Sequence, residues 1–215
     1  RLEAYSVLTV ELDPKNPATV YAGTAAGLFK SQNSGESWSE PMFGAAVSAL
    51  AIDPATPTTL YAGTYDRVVK SIDGGLSWAH SYSGNAITRV VLDPATPSTL
   101  YLASGDGIFK SIDAGNSWTP ANNGLTSLYV LDLVLDPSAP ATLYAGTSSG
   151  GVFKSVDAGG SWVLASDGLT DLQVSCLEVD PVDSSTIYAG TPGGIFKSTN
   201  AGGHWSAAST GMDGQ

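Results

Sequence analysis

Few side chains in this sequence stand in patterns that could do chemistry. Hydrolysis of a glycosidic bond needs two facing carboxylates about 5–9.5 Å apart. Such a pair stays open, because several carboxylates lie outside any repeated phrase: Glu3, Glu40, Asp66, Asp106, Asp132 and Asp171. The two histidines, His80 and His204, lack the partner spacing of a metal site or a catalytic triad. We therefore predict no catalytic residue, no metal site and no cofactor, and an enzyme is the less favoured class.

The elements that would position a site come from an internal repeat. A nine-residue phrase at Lys70–Trp78 has four further copies, which begin at Lys30, Lys110, Lys154 and Lys197. All five tryptophans end these copies: Trp38, Trp78, Trp118, Trp162 and Trp205. A second phrase opens at Asp13, Asp53, Asp93, Asp136 and Asp180, at intervals of 40, 40, 43 and 44 residues. A period in this range predicts a repeat architecture.

Each repeat is predicted to form four short strands separated by turns. In the second repeat the strands are roughly 47–52, 59–64, 67–71 and 77–82. The first strand is apolar or small on both faces, which indicates a sheet that is covered on both sides. Repeated four-stranded units of this length are typical of a β-propeller. We therefore predict an all-β, five-bladed β-propeller of four-stranded antiparallel blades.

This propeller is predicted to be a single domain over residues 1–215, because five units leave no room for another. Its blades would span about 1–40, 41–80, 81–122, 123–166 and 167–215. Leu2 and Met212 keep the repeat phase at the two ends, so we expect five whole units with no strand to exchange. We expect closure without a shared strand, by packing of blade 5 against blade 1. The same boundaries would also result from cutting five repeats out of a longer array, whose open apolar faces would drive pairing.

The nine-residue phrase has a local mechanism of its own. Asp73 can accept hydrogen bonds from the backbone of the turn, and Gly75 can take a positive φ at no steric cost. Ser71 and Ser77 can join the two arms of the hairpin. Trp78 supplies an apolar wedge against the next blade.

The pattern Ser-x-Asp-x-Gly-x-Ser-Trp resembles the Asp box, or bacterial neuraminidase repeat, with one copy per blade. Complete copies occupy 71–78, 111–118 and 155–162, with Asp73, Asp113 and Asp157. Asn33 and Asn200 replace the aspartate in the first and fifth copies. The resemblance implies the propeller fold found in sialidases, other glycosidases, sortilin-like receptors and photosystem II assembly factors.

A sialidase-like site would use three convergent arginines. This chain has only Arg1, Arg67 and Arg89, at unrelated positions of the repeat, so it departs from the sialidase pattern. Arg89 instead shares one level of the innermost strands with Asp132 on the next blade, and we predict a structural ion pair between them. Cys176 lies at the same level and is predicted to be a small core residue, since no histidine accompanies it.

Variation between repeats indicates where a ligand would bind. The turns after the first and third strands are nearly constant, whereas those after the second and fourth strands vary, and function is more often placed on variable loops. Residues that break the repeat map to this variable rim: Tyr5, Phe43, Tyr65, Arg67, Tyr82 and Tyr129. Aromatic rings around an opening suit glycan or peptide binding. The alternative is that they plug the channel mouth or cover blade edges.

Composition limits the partners. The net charge of −11 with nine basic residues disfavours nucleic acid, whose phosphates need clustered lysine and arginine. No apolar run approaches the ~18 residues of a membrane span. We expect a monomer, with pairing into a larger ring as the alternative, and the acidity and serine and threonine content favour an extracytoplasmic location.

The favoured function is therefore a non-enzymatic binding or scaffold propeller with a glycan or a protein or peptide ligand on the variable rim. One alternative is a glycoside hydrolase or a fragment of one. The other is a purely structural or engineered repeat ring without a ligand.

Overall fold

The computed structural model describes residues 5–211, and the described chain forms two compact units. One unit runs to Leu102 and adds Ser111–Trp118, and the other comprises Ala103–Lys110 and the chain from Thr119 onward. The described residues form strands and turns without any helix, so the prediction of an all-β fold of five propeller blades is confirmed. Arg1, Leu2, Glu3 and Met212, which entered the sequence arguments, lie outside the described residues.

Five antiparallel sheets follow one another along the chain, each built from consecutive strands. The first contains β1 (Val7–Leu12), β2 (Val20–Thr24) and β3 (Gly27–Ser31). The second contains β4 (Ala49–Ile52), β5 (Leu60–Gly63), β6 (Arg67–Ser71) and β7 (Ala79–Ser83). The third contains β8 (Arg89–Leu92), β9 (Leu100–Ser104), β10 (Gly107–Ser111) and β11 (Thr119–Pro120).

The last two sheets repeat the same plan. The fourth contains β12 (Val130–Leu135), β13 (Leu143–Thr147), β14 (Val152–Ser155) and β15 (Val163–Leu164). The fifth contains β16 (Cys176–Val179), β17 (Ile187–Thr191), β18 (Gly194–Ser198) and β19 (Ser206–Ala207). We call these sheets blades 1 to 5. No strand of a described sheet is borrowed from another repeat, as predicted.

Blade 1 has three strands where four were predicted. After Trp38 the chain makes a backbone hydrogen bond from Ser39 N to Lys30 O (2.9 Å), and a single bridge then joins Leu28 to Phe43. Pro41 lies between these two contacts. It has no N–H to donate and its φ is fixed, so a regular fourth strand cannot form across it.

Neighbouring blades pack closely because glycine occupies the second strand. An added Cβ at Gly63 in blade 2 would lie 2.7 Å from Ile87 Cγ2, and one at Gly146 in blade 4 would lie 2.8 Å from Val174 Cγ1. Ile87 and Val174 precede the innermost strand of the following blade and are buried. The side chains of the next blade therefore pack directly on the backbone of these glycines.

Two blade faces are exposed. On blade 1, Val10 and Leu12 of β1 are each 55 % exposed. On blade 5, Cys176 and Tyr188 are exposed as well. The expected packing of blade 5 on blade 1 joins the two units and stays a prediction. The prediction that residues 1–215 form one domain stays a prediction.

Candidate binding rim

The nine-residue loops are held by their own side chains. Asp73 Oδ1 accepts hydrogen bonds from Ser71 Oγ (2.7 Å) and Ser77 N (2.9 Å), and its Oδ2 accepts one from Ser77 Oγ (2.5 Å). Gly75 N donates to Ser71 Oγ at 2.9 Å, and Gly75 has a φ of 94°. Asp113 and Asp157 make the same bonds. The loop is therefore a closed hydrogen-bonded unit.

These bonds stabilise the ionised form of each aspartate. Hydrogen bonds from the following serine lower the pKa of Asp73, Asp113 and Asp157 to about 2. In blade 1 the uncharged Asn33 makes equivalent bonds, since its Oδ1 accepts from Ser31 Oγ and its Nδ2 donates to Ser37 Oγ, both at 2.9 Å. The loops are thus structural, and their carboxylates are already occupied.

The repeated lysine and tyrosine connect one blade to the next. Tyr61 OH (3.0 Å) and Lys70 Nζ (2.8 Å) both donate to the Ala114 carbonyl, and Lys70 lies over the Tyr61 ring. Tyr144 and Lys154 make the same pair of bonds to Ala201 O. Burial raises the pKa of Tyr61 and Tyr144 to about 12, so both phenols keep the proton that they donate.

Blade 2 presents the most exposed of the predicted ligand residues. Tyr65 is 71 % exposed in the turn between β5 and β6. Beside it, Arg67 Nη2 and Nε donate to the two carboxylate oxygens of Asp66 at 2.7 and 3.0 Å. These bonds lower the pKa of Asp66 to about 2. Thr64 Oγ1 donates to the same carboxylate at 3.0 Å, so the charged pair is fixed on the turn.

Phe43 and Tyr82 lie on equivalent parts of blades 1 and 2 and pack against tryptophan. The ring centroid of Phe43 is 5.8 Å from that of Trp78, and the centroid of Tyr82 is 5.9 Å from that of Trp118. Both rings are only partly exposed. This geometry agrees with the alternative in which the unrepeated aromatics cover blade edges.

Tyr5 and Tyr129 occupy the approaches to innermost strands. The Tyr5 ring stacks on Phe29 with centroids 5.4 Å apart and remains 43 % exposed. Tyr129 precedes β12 in the second unit and is exposed, while its carbonyl accepts a bond from Ser148 N at 2.9 Å. The structure thus joins Tyr65 and Arg67 on one turn, and the other four predicted ligand residues lie on separate parts of the blades.

The polar side chains of the innermost strands have different partners in the two units. In the second unit, Asp132 is buried, and its carboxylate accepts bonds from Leu133 N (2.9 Å) and Leu177 N (2.8 Å). In the first unit, burial raises the pKa of Glu11, while the charge of Arg89 opposes that rise. Neither Glu11 nor the role of Asp132 as an acceptor for the next innermost strand was predicted from the sequence. The predicted Arg89–Asp132 ion pair stays a prediction.

Cys176, which was predicted to be a core residue, is exposed, because nothing in the described chain covers that face of blade 5.

A groove of about 690 Å³ lies at the rim that was predicted to be constant. It is lined by Trp38, Met42 and the loop residues Asn33, Asp73 and Leu76, among others. The corresponding groove beside Asp157 has about 220 Å³. The sequence signal for this difference is Pro41, which replaces the fourth strand of blade 1 by an irregular segment.

The described part of the chain offers no cluster of metal-binding side chains: among residues 5–211, no three His, Cys, Asp or Glu side chains are grouped to hold a metal ion. His204 forms an exposed pair with Asp167, at 2.7 Å between Nδ1 and Oδ2, and this pair was not predicted from the sequence. The same part of the chain contains no helix that could span a membrane.

The blades resemble those of several solved propellers. A GH74 enzyme from Niastella koreensis superimposes with a TM-score of 0.81 and 25 % identity over 94 % of this chain and 38 % of its own. A GH74 xyloglucanase from Xanthomonas campestris gives 0.65 and 17 % identity over 94 % of this chain and 45 % of its own. The chain thus spans less than half of either enzyme.

A third neighbour has a bound peptide. YCF48 in complex with a D1 peptide superimposes with a TM-score of 0.61 and 11 % identity, over 94 % of this chain and 82 % of its own. No protein-family model and no curated protein matches the sequence. The likeness to YCF48 and to the xyloglucanase, at this identity, shows the fold alone.

Proposed function

We propose that this chain is a non-enzymatic binding module whose ligand, a protein or peptide segment, docks on the turn of blade 2 that carries Tyr65 and Arg67. The observation that carries the proposal is this turn. A tyrosine with 71 % of its surface exposed stands beside a fixed charged pair. Tyrosine and arginine are the residue types most enriched among the energetic centres of protein interfaces.

The turn is suited to this role because it is already ordered. Thr64, Asp66 and Arg67 hold one another through side-chain hydrogen bonds, so little conformational entropy would be lost on binding. Tyr5, Phe43, Tyr82 and Tyr129 extend the predicted surface. Of these, Tyr5 and Tyr129 offer exposed rings, and a glycan stacking on them is the second ligand class for the same rim. YCF48, which shares the fold alone, holds a peptide, and we propose the same class of ligand for this chain.

A catalytic role is less well supported on this turn. A general acid at neutral pH needs a raised pKa. Asp66 has the opposite shift, because Arg67 stabilises its carboxylate. We also propose that the nine-residue loops are Asp boxes. All five share the same serine-to-side-chain bond two residues on, whether aspartate or asparagine occupies that position.

The binding proposal is tested by selecting peptides on the wild-type protein from a displayed library and measuring their affinity by titration calorimetry. Tyr65→Ser and Arg67→Gln should each weaken binding at least about tenfold, as expected for interface centres. Leu76→Ser is the matched control, because Leu76 is 84 % exposed on a turn of the same blade at the opposite rim. Selected peptides whose affinity is unchanged by both rim substitutions would refute the site.

The second candidate is a fragment of a glycoside hydrolase. It is favoured by the likeness to the GH74 enzyme, which reaches 25 % identity over 94 % of this chain. If the chain hydrolyses glycosidic bonds, incubation of xyloglucan with the protein should produce new reducing ends. Replacement of a catalytic carboxylate by an amide should abolish their production. The binding proposal expects no new reducing ends.

A further inference from the structure

The exposed face of blade 1 is built from residues that are buried in the other blades. Val10 is 55 % exposed, whereas the residues at its position in blades 2 to 5 are between 0 and 5 % exposed: Leu50, Val90, Leu133 and Leu177. Val7 is 48 % exposed, whereas its counterparts Val47, Ile87, Val130 and Val174 are at most 2 % exposed. An apolar surface of this kind in a soluble protein marks an interaction site.

The exposed face of blade 5 is the opposite side of the same packing arrangement. Tyr188 is 38 % exposed, whereas the four tyrosines at its position are at most 2 % exposed: Tyr21, Tyr61, Tyr101 and Tyr144. An added Cβ at Gly190 would meet only Cys176 of its own blade, whereas Gly63 and Gly146 abut a side chain of the next blade. Blade 5 thus keeps the surface that blades 2 and 4 use to receive a neighbour.

The two faces also carry hydrogen-bonding groups that complement each other, with donors on blade 5 and an acceptor on blade 1. Lys197 Nζ lies 5.3 Å from the centroid of the Tyr188 ring, the arrangement that Lys154 and Tyr144 adopt while donating to Ala201 O. Within residues 5–211, neither Tyr188 OH nor Lys197 Nζ has a hydrogen-bond acceptor.

Blade 1 offers the matching acceptor. Ser34 has the left-handed φ of Ala114 and Ala201, at 59°, 57° and 55° respectively, and it occupies their position in the loop. Its carbonyl accepts no bond within the part of the chain that the structure describes, and Ser34 is exposed. The donors on blade 5 and the acceptor on blade 1 are therefore the same groups that form the hydrogen bonds between consecutive blades inside the chain.

We propose that two copies of this chain associate head to tail, with the blade 5 face of one copy packed on the blade 1 face of the second. Tyr188 and Lys197 would donate to the Ser34 carbonyl of the second copy, and Val7 and Val10 would be buried as their counterparts are inside the chain. The contact uses two different surfaces, so it is heterologous. Further copies added through the same contact either close into a ring or extend into a filament. This proposal does not depend on the ligand site on blade 2.

The first test is the mass of the 215-residue chain by light scattering or sedimentation over a range of concentrations. The expected mass is about 44 kDa or a higher multiple of the 21.9 kDa chain, with a proportion that rises with concentration. A constant mass of 21.9 kDa at all concentrations would overturn the proposal.

Two single variants distinguish head-to-tail association from other pairings. Val10→Lys disables the blade 1 face and Tyr188→Ser disables the blade 5 face, so each variant alone should be monomeric. Mixed together they should form a dimer and nothing larger, because each still carries one intact and complementary face. Leu76→Lys, on a loop outside both faces, should associate as the wild type does. Circular dichroism confirms that each variant is folded.

A pairing of two blade 1 faces would behave differently. Tyr188→Ser alone would then still dimerise, and mixing with Val10→Lys would restore nothing, which would overturn the proposal. Cys176 supplies an independent measurement, because it lies on the blade 5 face and is the only thiol of the chain. Its labelling by a thiol reagent should slow as protein concentration rises, and a constant rate would contradict burial of that face.

Discussion

At the residue scale, the aspartate of three nine-residue loops acts through geometry more than through charge, since asparagine serves in the other two. Asn33 in blade 1 and Asn200 in blade 5 accept the same serine hydroxyl and the same backbone N–H as the aspartates do. In blade 1 the contact to the second serine changes direction, because an amide nitrogen donates where a carboxylate oxygen accepts. In blade 5 His204 replaces that serine.

We therefore expect Asp73→Asn to fold with little loss of stability and Asp73→Ala to lower the melting temperature clearly. The alanine variant leaves Ser71 Oγ, Ser77 Oγ and Ser77 N without their shared acceptor. Thermal unfolding of the two variants beside the wild type measures the difference. An asparagine variant as unstable as the alanine variant would show that the negative charge itself is required.

The depressed pKa of these aspartates also predicts a pH dependence. A carboxyl group whose pKa is lower in the folded state stabilises the fold above its unfolded pKa of about 3.9, and this contribution is lost as pH falls through the folded value. For Asp73, Asp113 and Asp157 the folded value is about 2, so the loss should occur between about pH 4 and pH 2.

Urea unfolding at pH 7, 4 and 2.5 tests this dependence on the wild type and on a variant in which Asp73, Asp113 and Asp157 are all replaced by asparagine. The free energy of unfolding should fall less steeply with acid in the triple variant, because three of the titrating groups are gone. Equal slopes for the two proteins would show that these carboxyl groups titrate alike in the folded and unfolded states.

At the element scale, glycine in the second strand of four blades sets how closely the next blade can pack, and Ala103 takes its place in blade 3. Gly146 and Gly190 occupy the same position in blades 4 and 5. An added Cβ at Gly146 would lie 2.8 Å from Val174 Cγ1 and 3.0 Å from the Val174 carbonyl. At Gly190 the nearest atom is the sulfur of the exposed Cys176, which can rotate away.

Gly146→Ala should therefore cost about 1–3 kcal/mol of unfolding free energy, as overpacking of a tight core does. Gly190→Ala should change it by less than about 0.5 kcal/mol in the dilute monomer, because the only close neighbour is a sulfur atom that can move. Denaturant titration at low protein concentration compares the two. A similar cost for both would mean that the blade 5 glycine is also packed against a neighbour.

The elements could be predicted from sequence because their signals recur. Five copies of one phrase set the phase of the strands, and the strands of the second blade agree with the predicted ranges to within about two residues, with β7 ending at Ser83 one residue beyond its range. The missing fourth strand of blade 1 was not foreseen, although Pro41 marks it. A single proline outweighs the repeat at that point, because it removes the donor that a ladder needs.

The candidate site was less predictable than the fold. Residues that break the repeat could be found by subtraction, but their exposure could not. Tyr65 projects into solvent, whereas Phe43 and Tyr82 fill the edge beside the next tryptophan. The difference depends on the neighbouring blade, whose position a local sequence pattern does not encode.

At the scale of the whole molecule, charge opposes the association that the blade faces favour. The chain carries a net charge of −11, so two copies repel each other at neutral pH. The contact surface itself is largely apolar on the blade 1 side, with Val7, Val10 and Leu12 exposed. Association therefore depends on apolar burial that must exceed a long-range repulsion.

Salt should shift this balance in one direction. The screening length falls from about 10 Å at 0.1 M salt to about 3 Å at 1 M, so the repulsion weakens while apolar burial persists. We expect the dissociation constant of the head-to-tail contact to fall several-fold over this range, as measured by sedimentation equilibrium. Val10→Lys should remain monomeric at both concentrations, because screening cannot replace the apolar face that it disrupts. Association that weakens as salt is added would mean instead that charge pairs hold the copies together, and the apolar face of blade 1 would need another partner.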